Sequence, residues 1–227
     1  MELDIYNIRN KYNDNDSNWI IQQHKNNLLL KSPNGKLYKG SGILLFTKDN
    51  IILFSDTSSY QDIGGTLDKH IGGGSLLLIK NAIKEAYEES AKMFNFSDID
   101  FDKLEYVDVN DKNVYYRCYL LCIELPHNVI DIFLSNRKIL LNKKVKYTYL
   151  EMNGLNFFDF YELKLCIKEN KGSKKFKICK DMILRSRTCK ILDKITKKMY
   201  ENTIKNCYKL KNTITNNPDP DLIYFVF

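Results

Sequence analysis

Residues 84–91 read KEAYEESA and lie in a segment, 75–94, whose apolar residues recur at four-residue spacing. That spacing predicts a helix. Three carboxylates, Glu85, Glu88 and Glu89, stand at positions i, i+3 and i+4 of this segment. At 3.6 residues per turn they share one side of the helix. The segment therefore predicts a helix with a dense acidic face.

This acidic face has two interpretations. Like charges at these spacings repel one another by roughly 0.2–0.5 kcal/mol per pair, and a divalent cation that binds carboxylate oxygens, such as Mg²⁺, would reverse that repulsion. The alternative is a solvated face paired with the lysines of the same segment, Lys80, Lys84 and Lys92. The helix alone favours the solvated face, so its context in the sequence decides between the two.

A glycine pair precedes the helix. Residues 62–68 read DIGGTLD at the end of a predicted strand, and glycines there let the backbone approach a metal ion or a phosphate without a Cβ between them. The pair and the acidic helix together resemble the signature of the Nudix hydrolase family, G-x5-E-x7-R-E-U-x-E-E-x-G-U, where U is aliphatic. The segments GGTLDK and EES are also similar to viral members, including poxvirus-type decapping enzymes. The likeness covers residues 62–91 well, and the predicted strand order is compatible with it over residues 38–165.

The sequence departs from this signature at three places. Lys84 stands where the family has Arg, and it keeps the charge but loses the planar guanidinium fork. Ala91 replaces the closing Gly. The isolated Glu of the signature falls on Leu76 when counted back from Lys84, and on Ile71 when counted forward from the glycine pair. An insertion at residues 70–74 accounts for this mismatch.

The resemblance implies a Nudix-like α/β/α sandwich with a mixed sheet. It also implies hydrolysis of a nucleoside diphosphate linked to another group, helped by Mg²⁺ or Mn²⁺, because such ions neutralise the phosphates and lower the pKa of bound water. Carried over by position, the metal ligands are Glu85, Glu88, Glu89 and the carbonyl of Gly64. Lys84 would hold one of the carboxylates in place.

Further residues belong to the site that the resemblance implies. Gly65 and Asp68 are expected to bind substrate, and the role of the missing Glu is lost or passes to Asp68. Some family members use an acid outside the signature as general base, and the candidate here is Glu151, which precedes an aromatic cluster. Glu124 and Asp108 are the alternatives. A surface glutamate on a strand is the other interpretation of Glu151.

The composition bounds what the chain can do. It has 227 residues, 44% hydrophobic and 12% aromatic, which fits one domain with an appendage and excludes disorder over most of its length. A net charge of +7 favours an anionic substrate or partner. No apolar run approaches the roughly 20 residues of a membrane helix, so we predict no membrane segment. Six cysteines without a CxxC pair are expected to be structural thiols, which predicts a reducing, cytoplasmic compartment, in a host cell if the protein is viral.

Predicted strands and helices interleave along the chain. The strands are expected at 41–46, 51–54, 104–109, 114–125 and 146–160, and the helices at 75–94, 128–142 and 174–211. This order predicts an α/β or α+β fold around one sheet and excludes a helical bundle. We divide the chain into an N-terminal extension (1–37), a Nudix-like domain (38–165) and a basic helical extension (166–227), with both extensions packed on the central domain.

The basic C-terminal region bears on the substrate. Lys177, Lys180, Arg185 and Arg187 belong to a run of lysines and arginines that would form a positive face on the predicted helix. Such a face binds RNA by releasing counterions, which favours the 5′ cap of an mRNA as the substrate. It also suits a diphosphoinositol polyphosphate, and a small nucleotide stays open. The alternative is a solvated, lysine-rich helix.

Two other classes of function stay open at this stage. The missing Glu and the Lys84 substitution suit a Nudix-like module that binds RNA or nucleotides without hydrolysing them. A nucleic-acid-binding protein whose acidic helix is merely solvated is the third possibility. The sequence indicates neither the oligomeric state nor the number of metal ions.

Overall fold

The computed structural model describes residues 18–24, 27–67, 74–111, 113–145, 147–169, 176–179 and 182–209. Within these ranges the helices are α1 (Leu76–Glu89), α2 (Val129–Asn142), α3 (Phe160–Glu169), α4 (Ser186–Lys194) and α5 (Lys197–Lys205). The strands are β1 (Ile20–His24), β2 (Asn27–Lys31), β3 (Leu37–Phe46), β4 (Ile51–Ser55), β5 (Tyr60–Gln61), β6 (Ile63–Thr66), β7 (Tyr106–Asp111), β8 (Val114–Cys122), β9 (Gly154–Phe158), β10 (Phe176–Cys179) and β11 (Met182–Leu184). Short 3-10 helices span Phe101–Lys103 and Tyr147–Leu150.

The strands of the described residues join one mixed sheet. β3 lies at its centre, where it pairs antiparallel with β4 and β6 and parallel with β8. A parallel pair requires a long crossover connection, and α1 lies in the one that leads from β3 to β8. Helices therefore alternate with strands of both directions, and the predicted α+β class with a mixed sheet is confirmed.

Helices cover both faces of the sheet. Alternate residues of β3 feed the two cores: Ile43 and Leu45 pack with the apolar residues of α1 and α2, while Leu44 and Phe46 pack with those of α3, α4 and α5. A strand buried on both faces needs a continuous apolar run, which residues 43–46, ILLF, provide. The layers are therefore helix, sheet and helix.

Helix α1 ends earlier than the predicted segment 75–94. After Glu89 the chain makes a Schellman turn, in which the Lys92 N–H donates to the Tyr87 carbonyl (2.8 Å) and Ala91 takes a left-handed conformation with φ of 54°. Such a residue is usually glycine, because a Cβ costs about 1–2 kcal/mol there. The alanine that stands for the closing Gly of the Nudix signature thus occupies the turn that favours a glycine.

The prediction of a helical region over residues 174–211, as one helix or a pair, is wrong in part. Phe176–Cys179 and Met182–Leu184 form an antiparallel pair of strands, and β11 joins the sheet beside β5. The helical remainder is divided in two at Thr196, whose side chain accepts a hydrogen bond from the Met199 N–H and caps α5. The apolar spacing of this region runs across the division, so periodicity alone did not reveal it.

Two other segments also differ from their predictions. Residues 20–24 and 27–31 lie in the predicted N-terminal extension, yet they form β1 and β2, which pair with each other, and β2 also pairs with β3. The strand predicted at 146–160 begins only at Gly154, because Tyr147–Leu150 forms a 3-10 helix. By contrast, the strands predicted at 41–46 and 51–54 are present in β3 and β4, which pair antiparallel.

The N-terminal extension, the central domain and the C-terminal extension all contribute strands to the one sheet. The division of the chain at their boundaries stays a prediction. No helix within the described ranges is both long and apolar enough to span a membrane. The cysteines whose side chains the structure describes are free thiols, and Cys118, Cys122 and Cys189 are buried.

Candidate active site

The glycine pair lies in β6, where the central strand and helix α1 meet. Gly64 stands opposite Gly42 of β3, and α1 packs against both strands. Asn81, fully buried on α1, fixes this packing because its amide lies 3.4 Å from the carbonyl oxygens of both Ser41 and Gly65. One turn further along, the glutamates of α1 reach the glycine pair.

Glu89 is the most deeply buried of the three glutamates on α1. Glu89 is only 6% exposed, and its Oε2 accepts a hydrogen bond from the Gly64 N–H at 2.6 Å. Burial, followed by the nearby Glu85 carboxylate, raises the pKa of Glu89 well above 4.5. The buried carboxyl group of Glu89 therefore lies near that of Glu85 and faces the backbone of β6, the glycine strand.

Glu85 lies directly against the second glycine. A Cβ on residue 65 would stand 2.5 Å from the Glu85 Cδ and 2.7 Å from its Oε1. Real carbon atoms essentially never approach so closely, so a glycine at position 65 is what allows the carboxylate to occupy this place. Two of the three acids in the predicted face, Glu85 and Glu89, thus converge on the backbone of Gly64 and Gly65.

The third acid pairs with a lysine. The Lys84 Nζ lies 3.3 Å from Oε2 of Glu88 and 3.5 Å from Oε1 of Glu85. The three side chains are 13–15% exposed, so this ion pair is largely sheltered from water. Lys84 therefore bridges two of the acids, a position that suits a residue holding carboxylates in place.

A buried network that sequence reasoning missed supports the other side of the glycine strand. Asp62, 1% exposed, accepts hydrogen bonds from the Thr188 hydroxyl (2.7 Å) and the Tyr116 hydroxyl (3.0 Å). Arg187 donates to Asp62 Oδ1 through Nε (3.3 Å) and to the Gly64 carbonyl through Nη2 (2.9 Å). The adjacency of Asp62 to the glycine pair was the one sequence signal for this network, since its partners lie on β8 and α4.

Of the residues predicted to bind substrate, those that the structure describes lie in different places. Arg187 lies at the glycine strand, whereas the Arg185 guanidinium donates to the Asp56 carboxylate at 2.7 Å. Lys177 belongs to β10, and its side chain lies outside the described residues, as do Asp68 and Lys180 altogether. The predicted insertion at 70–74 also falls outside them, except for Gly74.

The candidates for a general base occupy three places. Glu151 follows the 3-10 helix Tyr147–Leu150, which packs on α1 through the ring contact of Tyr149 with Tyr87. Glu124 forms exposed ion pairs with lysines at 3.7 and 3.8 Å. Asp108 is locked by a guanidinium: despite its burial, hydrogen bonds from Arg117 and Tyr38 lower its pKa below the usual 3.8.

The carboxylates of this site are the kind of ligand that a hard divalent ion prefers, but their present arrangement is not that of a metal site. Among the described residues, no group of three or more His, Cys, Asp or Glu side chains is arranged to hold a metal. Glu88 is turned to Lys84 and Glu89 to the Gly64 N–H. Glu85 and Glu89 nevertheless supply carboxylate oxygens, the ligands that Mg²⁺ prefers, and their mutual repulsion is what a cation would relieve. The chemical nature of Glu85 and Glu89 therefore fits a divalent metal ion.

Replacing Glu89 with Gln is expected to stabilise the metal-free protein at alkaline pH. Because the folded-state pKa of Glu89 lies above the unfolded value of 4.5, the native wild type binds more protons than the unfolded chain over that interval. Its free energy of unfolding therefore falls as the pH rises through the folded-state pKa. In buffer that contains a chelator, the Tm of Glu89→Gln should exceed the wild-type Tm at about pH 8 and match it at about pH 4. Each kcal/mol of difference in the free energy of unfolding corresponds to roughly 2–4 °C in Tm.

The control for this experiment is Glu201→Gln, since Glu201 is 55% exposed on α5 and pairs with Lys197 at 3.7 Å. It should show no pH-dependent difference from the wild type. A Glu89→Gln protein that melts below the wild type at about pH 8 would show that the buried carboxylate stabilises the fold instead.

Comparisons with known proteins give a partial likeness. No protein-family model matches this chain, and no curated protein sequence matches it. Among solved structures, a Bacillus subtilis pyrophosphohydrolase, BsRppH, is similar with a TM-score of 0.32 and 14% identity, over 61% of this chain and 77% of that one. A C. elegans Ap4A hydrolase is similar with a TM-score of 0.28 and 15% identity, over 55% of this chain and 82% of that one. The assignment of the site rests on the residues of this chain.

Proposed function

We propose that this protein is a divalent-metal-dependent hydrolase of phosphoric anhydride bonds in nucleoside-diphosphate-linked substrates, of the Nudix type. The observation that supports it best is the convergence of Glu85 and Glu89 on the Gly64–Gly65 backbone. A solvated acidic face does not explain that convergence, because the carboxyl group of Glu89 is buried against the sheet. The resemblance of residues 62–91 to the Nudix signature is consistent with it.

In this proposal Glu85, Glu88 and Glu89 would hold Mg²⁺ or Mn²⁺, which when bound would supply positive charge to the phosphates and lower the pKa of a water molecule. Lys84 keeps Glu85 and Glu88 together. Gly65 leaves the space that the Glu85 carboxylate occupies. Water attacks one phosphorus of the anhydride, the bridging P–O bond breaks, and two phosphate-terminated products leave. Glu151 is the proposed acceptor of the proton from that water.

The favoured substrate is the 5′ cap of an mRNA, so that the reaction is decapping. The support is positive charge on the C-terminal helices, where Lys197 is 76% exposed, although it pairs with Glu201 at 3.7 Å. Part of this charge is paired within the protein: Lys190 lies 3.5 Å from Asp111, and the Lys194 Nζ donates to the Asp108 carbonyl. A diphosphoinositol polyphosphate and a small nucleotide are the alternatives within the same class.

The test compares three substrates side by side: cap-labelled RNA, free cap analogue and a diphosphoinositol polyphosphate, each with Mg²⁺, with Mn²⁺ and with a chelator. We expect hydrolysis of at least one substrate that requires the metal, with capped RNA cleaved more efficiently than free cap. Equal cleavage of both would remove the role of the basic helices. No hydrolysis of any substrate, with metal-independent and salt-sensitive RNA binding, would favour the non-catalytic alternatives.

Glu89→Gln is the matched variant for this assay. The substitution removes a carboxylate without changing the size of the side chain, and we expect metal-dependent hydrolysis to fall by at least about tenfold. Glu201→Gln, an equal change on the exposed face of α5, should hydrolyse at the wild-type rate. Equal activity of Glu89→Gln and wild type would exclude the proposed site.

A further inference from the structure

Helix α4 of the C-terminal region is fastened to the glycine strand by two consecutive residues. Thr188, which is fully buried, donates its hydroxyl hydrogen to Asp62 Oδ1 (2.7 Å) and accepts a hydrogen bond from the Asp62 N–H (3.2 Å). Arg187 donates to the same carboxylate oxygen and to the Gly64 carbonyl. The start of α4 is therefore fixed to both ends of the Asp62–Gly64 segment.

The guanidinium of Arg187 is held in one orientation from three directions. Asp62 binds its Nε at 3.3 Å, the Gly64 carbonyl binds its Nη2 at 2.9 Å, and the ring of Tyr116 lies beneath it at 4.3 Å from the centroid. Tyr116 is itself fixed by its hydroxyl bond to Asp62. The side chain of Arg187 is 26% exposed, so a fixed, largely sheltered cation stands at the edge of the site.

Gly64 transmits this orientation to the acids. Its carbonyl belongs to the peptide that joins Gly64 to Gly65, and the Glu85 carboxylate rests against Gly65. Its N–H binds Glu89 Oε2. Gly64 thus contacts α4 through its carbonyl and α1 through its N–H. The orientation of its two peptide groups therefore sets the positions of the Glu85 and Glu89 carboxylates.

We infer that Arg187 is a positioning residue of the candidate active site, and that the C-terminal region serves the site by orienting the Gly64–Gly65 peptide as well as by any contact with RNA. This inference rests on the proposed function. The Gly64 carbonyl, which the Nudix resemblance offered as a metal ligand, accepts a hydrogen bond from this guanidinium, 123 residues further along the chain. The metal ligands that this peptide would position are the carboxylates of Glu85 and Glu89.

The test is Arg187→Met, which removes the charge and both hydrogen bonds and keeps an unbranched side chain. Two readouts are used: the affinity for Mn²⁺ alone, measured by electron paramagnetic resonance, and the kcat and KM for the best substrate of the wild type. Residues that orient ligands from outside the coordination sphere contribute about 10–100-fold to metal affinity or activity. We therefore expect Mn²⁺ affinity and kcat to fall by about tenfold or more, while KM changes by less than about threefold.

Lys164→Met is the matched control. Lys164, on α3, donates to the Ile195 and Asp193 carbonyls at the end of α4 and lies over the Phe160 ring at 5.6 Å. It is also a cation that fastens α4 through backbone carbonyls, but away from the glycine strand. Its loss should lower the Tm without changing the Mn²⁺ affinity or kcat.

Arg187→Lys separates positioning from folding. A lysine keeps the charge and one donor, so it should restore part of the kcat and of the Mn²⁺ affinity, and it serves in place of the Met variant if that protein does not fold. Wild-type Mn²⁺ affinity and kcat in Arg187→Met would overturn the inference, and where that protein does not fold, wild-type values in Arg187→Lys would overturn it. If the wild type hydrolyses no anhydride, the proposed function fails, and the Mn²⁺ affinities of the variants decide the positioning role by themselves.

Discussion

The substitution Gly42→Ala is expected to lower the free energy of unfolding by about 3 kcal/mol or more. Gly42 lies on β3 opposite Gly64 of β6. A Cβ at this position would clash with the Ile63 carbonyl oxygen and the Tyr116 hydroxyl, and it would stand 2.8 Å from the Gly64 Cα. Two of these neighbours are backbone atoms of a paired strand, which cannot rotate away.

The cost extends beyond the clash itself. Tyr116 is 3% exposed and donates its hydroxyl to Asp62. Displacing it leaves a buried carboxylate without one of its donors, and a buried polar group that loses a partner costs about 1–3 kcal/mol. Strand separation at Gly64 would also release the N–H that binds Glu89. Chemical denaturation monitored by circular dichroism should show the midpoint shift to lower denaturant.

Gly154→Ala is the control for this change. A Cβ on Gly154, in β9, would meet the Ser55 hydroxyl at 2.7 Å, and that side chain can rotate to another conformer. We expect a change below about 1 kcal/mol. Equal losses in the two variants would mean that the spacing of β3 and β6 does not depend on Gly42.

The parts of the site that sequence predicted are those encoded locally. The three glutamates share a helix face because of their spacing, and Gly64 and Gly65 precede them by one connection, so the resemblance to the Nudix signature could link the two segments. The C-terminal end of α1 depends on a turn at Ala91, where an alanine occupies a position that favours glycine. Glycine is the usual sequence signal for the end of a helix, and an alanine at that position gives no such signal.

The parts that sequence missed are set by long-range packing. Arg187 reaches Gly64 across 123 residues of sequence, and Thr188 reaches Asp62 across 126. The basic composition of the C-terminal region obscured two strands, β10 and β11, of which β11 pairs with β5 and β10 pairs with β11. Arg187 was predicted from charge to bind substrate at a surface, whereas burial beside Asp62 and Tyr116 gives its charge a partner inside the protein.

The substitution Gly65→Ala should have the opposite signature from Gly42→Ala: a large loss of activity with little loss of stability. The added Cβ would stand 2.5 Å from the Glu85 Cδ and 2.7 Å from its Oε1. These atoms are the far end of a flexible side chain, so the carboxylate swings aside and the fold remains. The displacement moves a proposed metal ligand, and a shift of about 1 Å can cost about 100-fold in rate.

The measurement is kcat for metal-dependent hydrolysis together with the denaturation midpoint of the same preparation. We expect Gly65→Ala to lose about 100-fold in kcat while its free energy of unfolding changes by less than about 1 kcal/mol, and Gly154→Ala to match the wild type in both. A fall in stability that accounts for the lost activity would show that the glycine maintains the strand and not the position of Glu85.

A second substitution isolates the cause. Glu85→Asp shortens the side chain by one methylene and should impair the wild-type background, because its carboxylate no longer reaches the place above Gly65. In the Gly65→Ala background the same change withdraws the carboxylate from the added Cβ, so the double variant should lose less activity than the product of the two single losses. Such coupling is expected only between residues in contact, and strictly multiplicative losses would show that Gly65 and Glu85 act on hydrolysis independently.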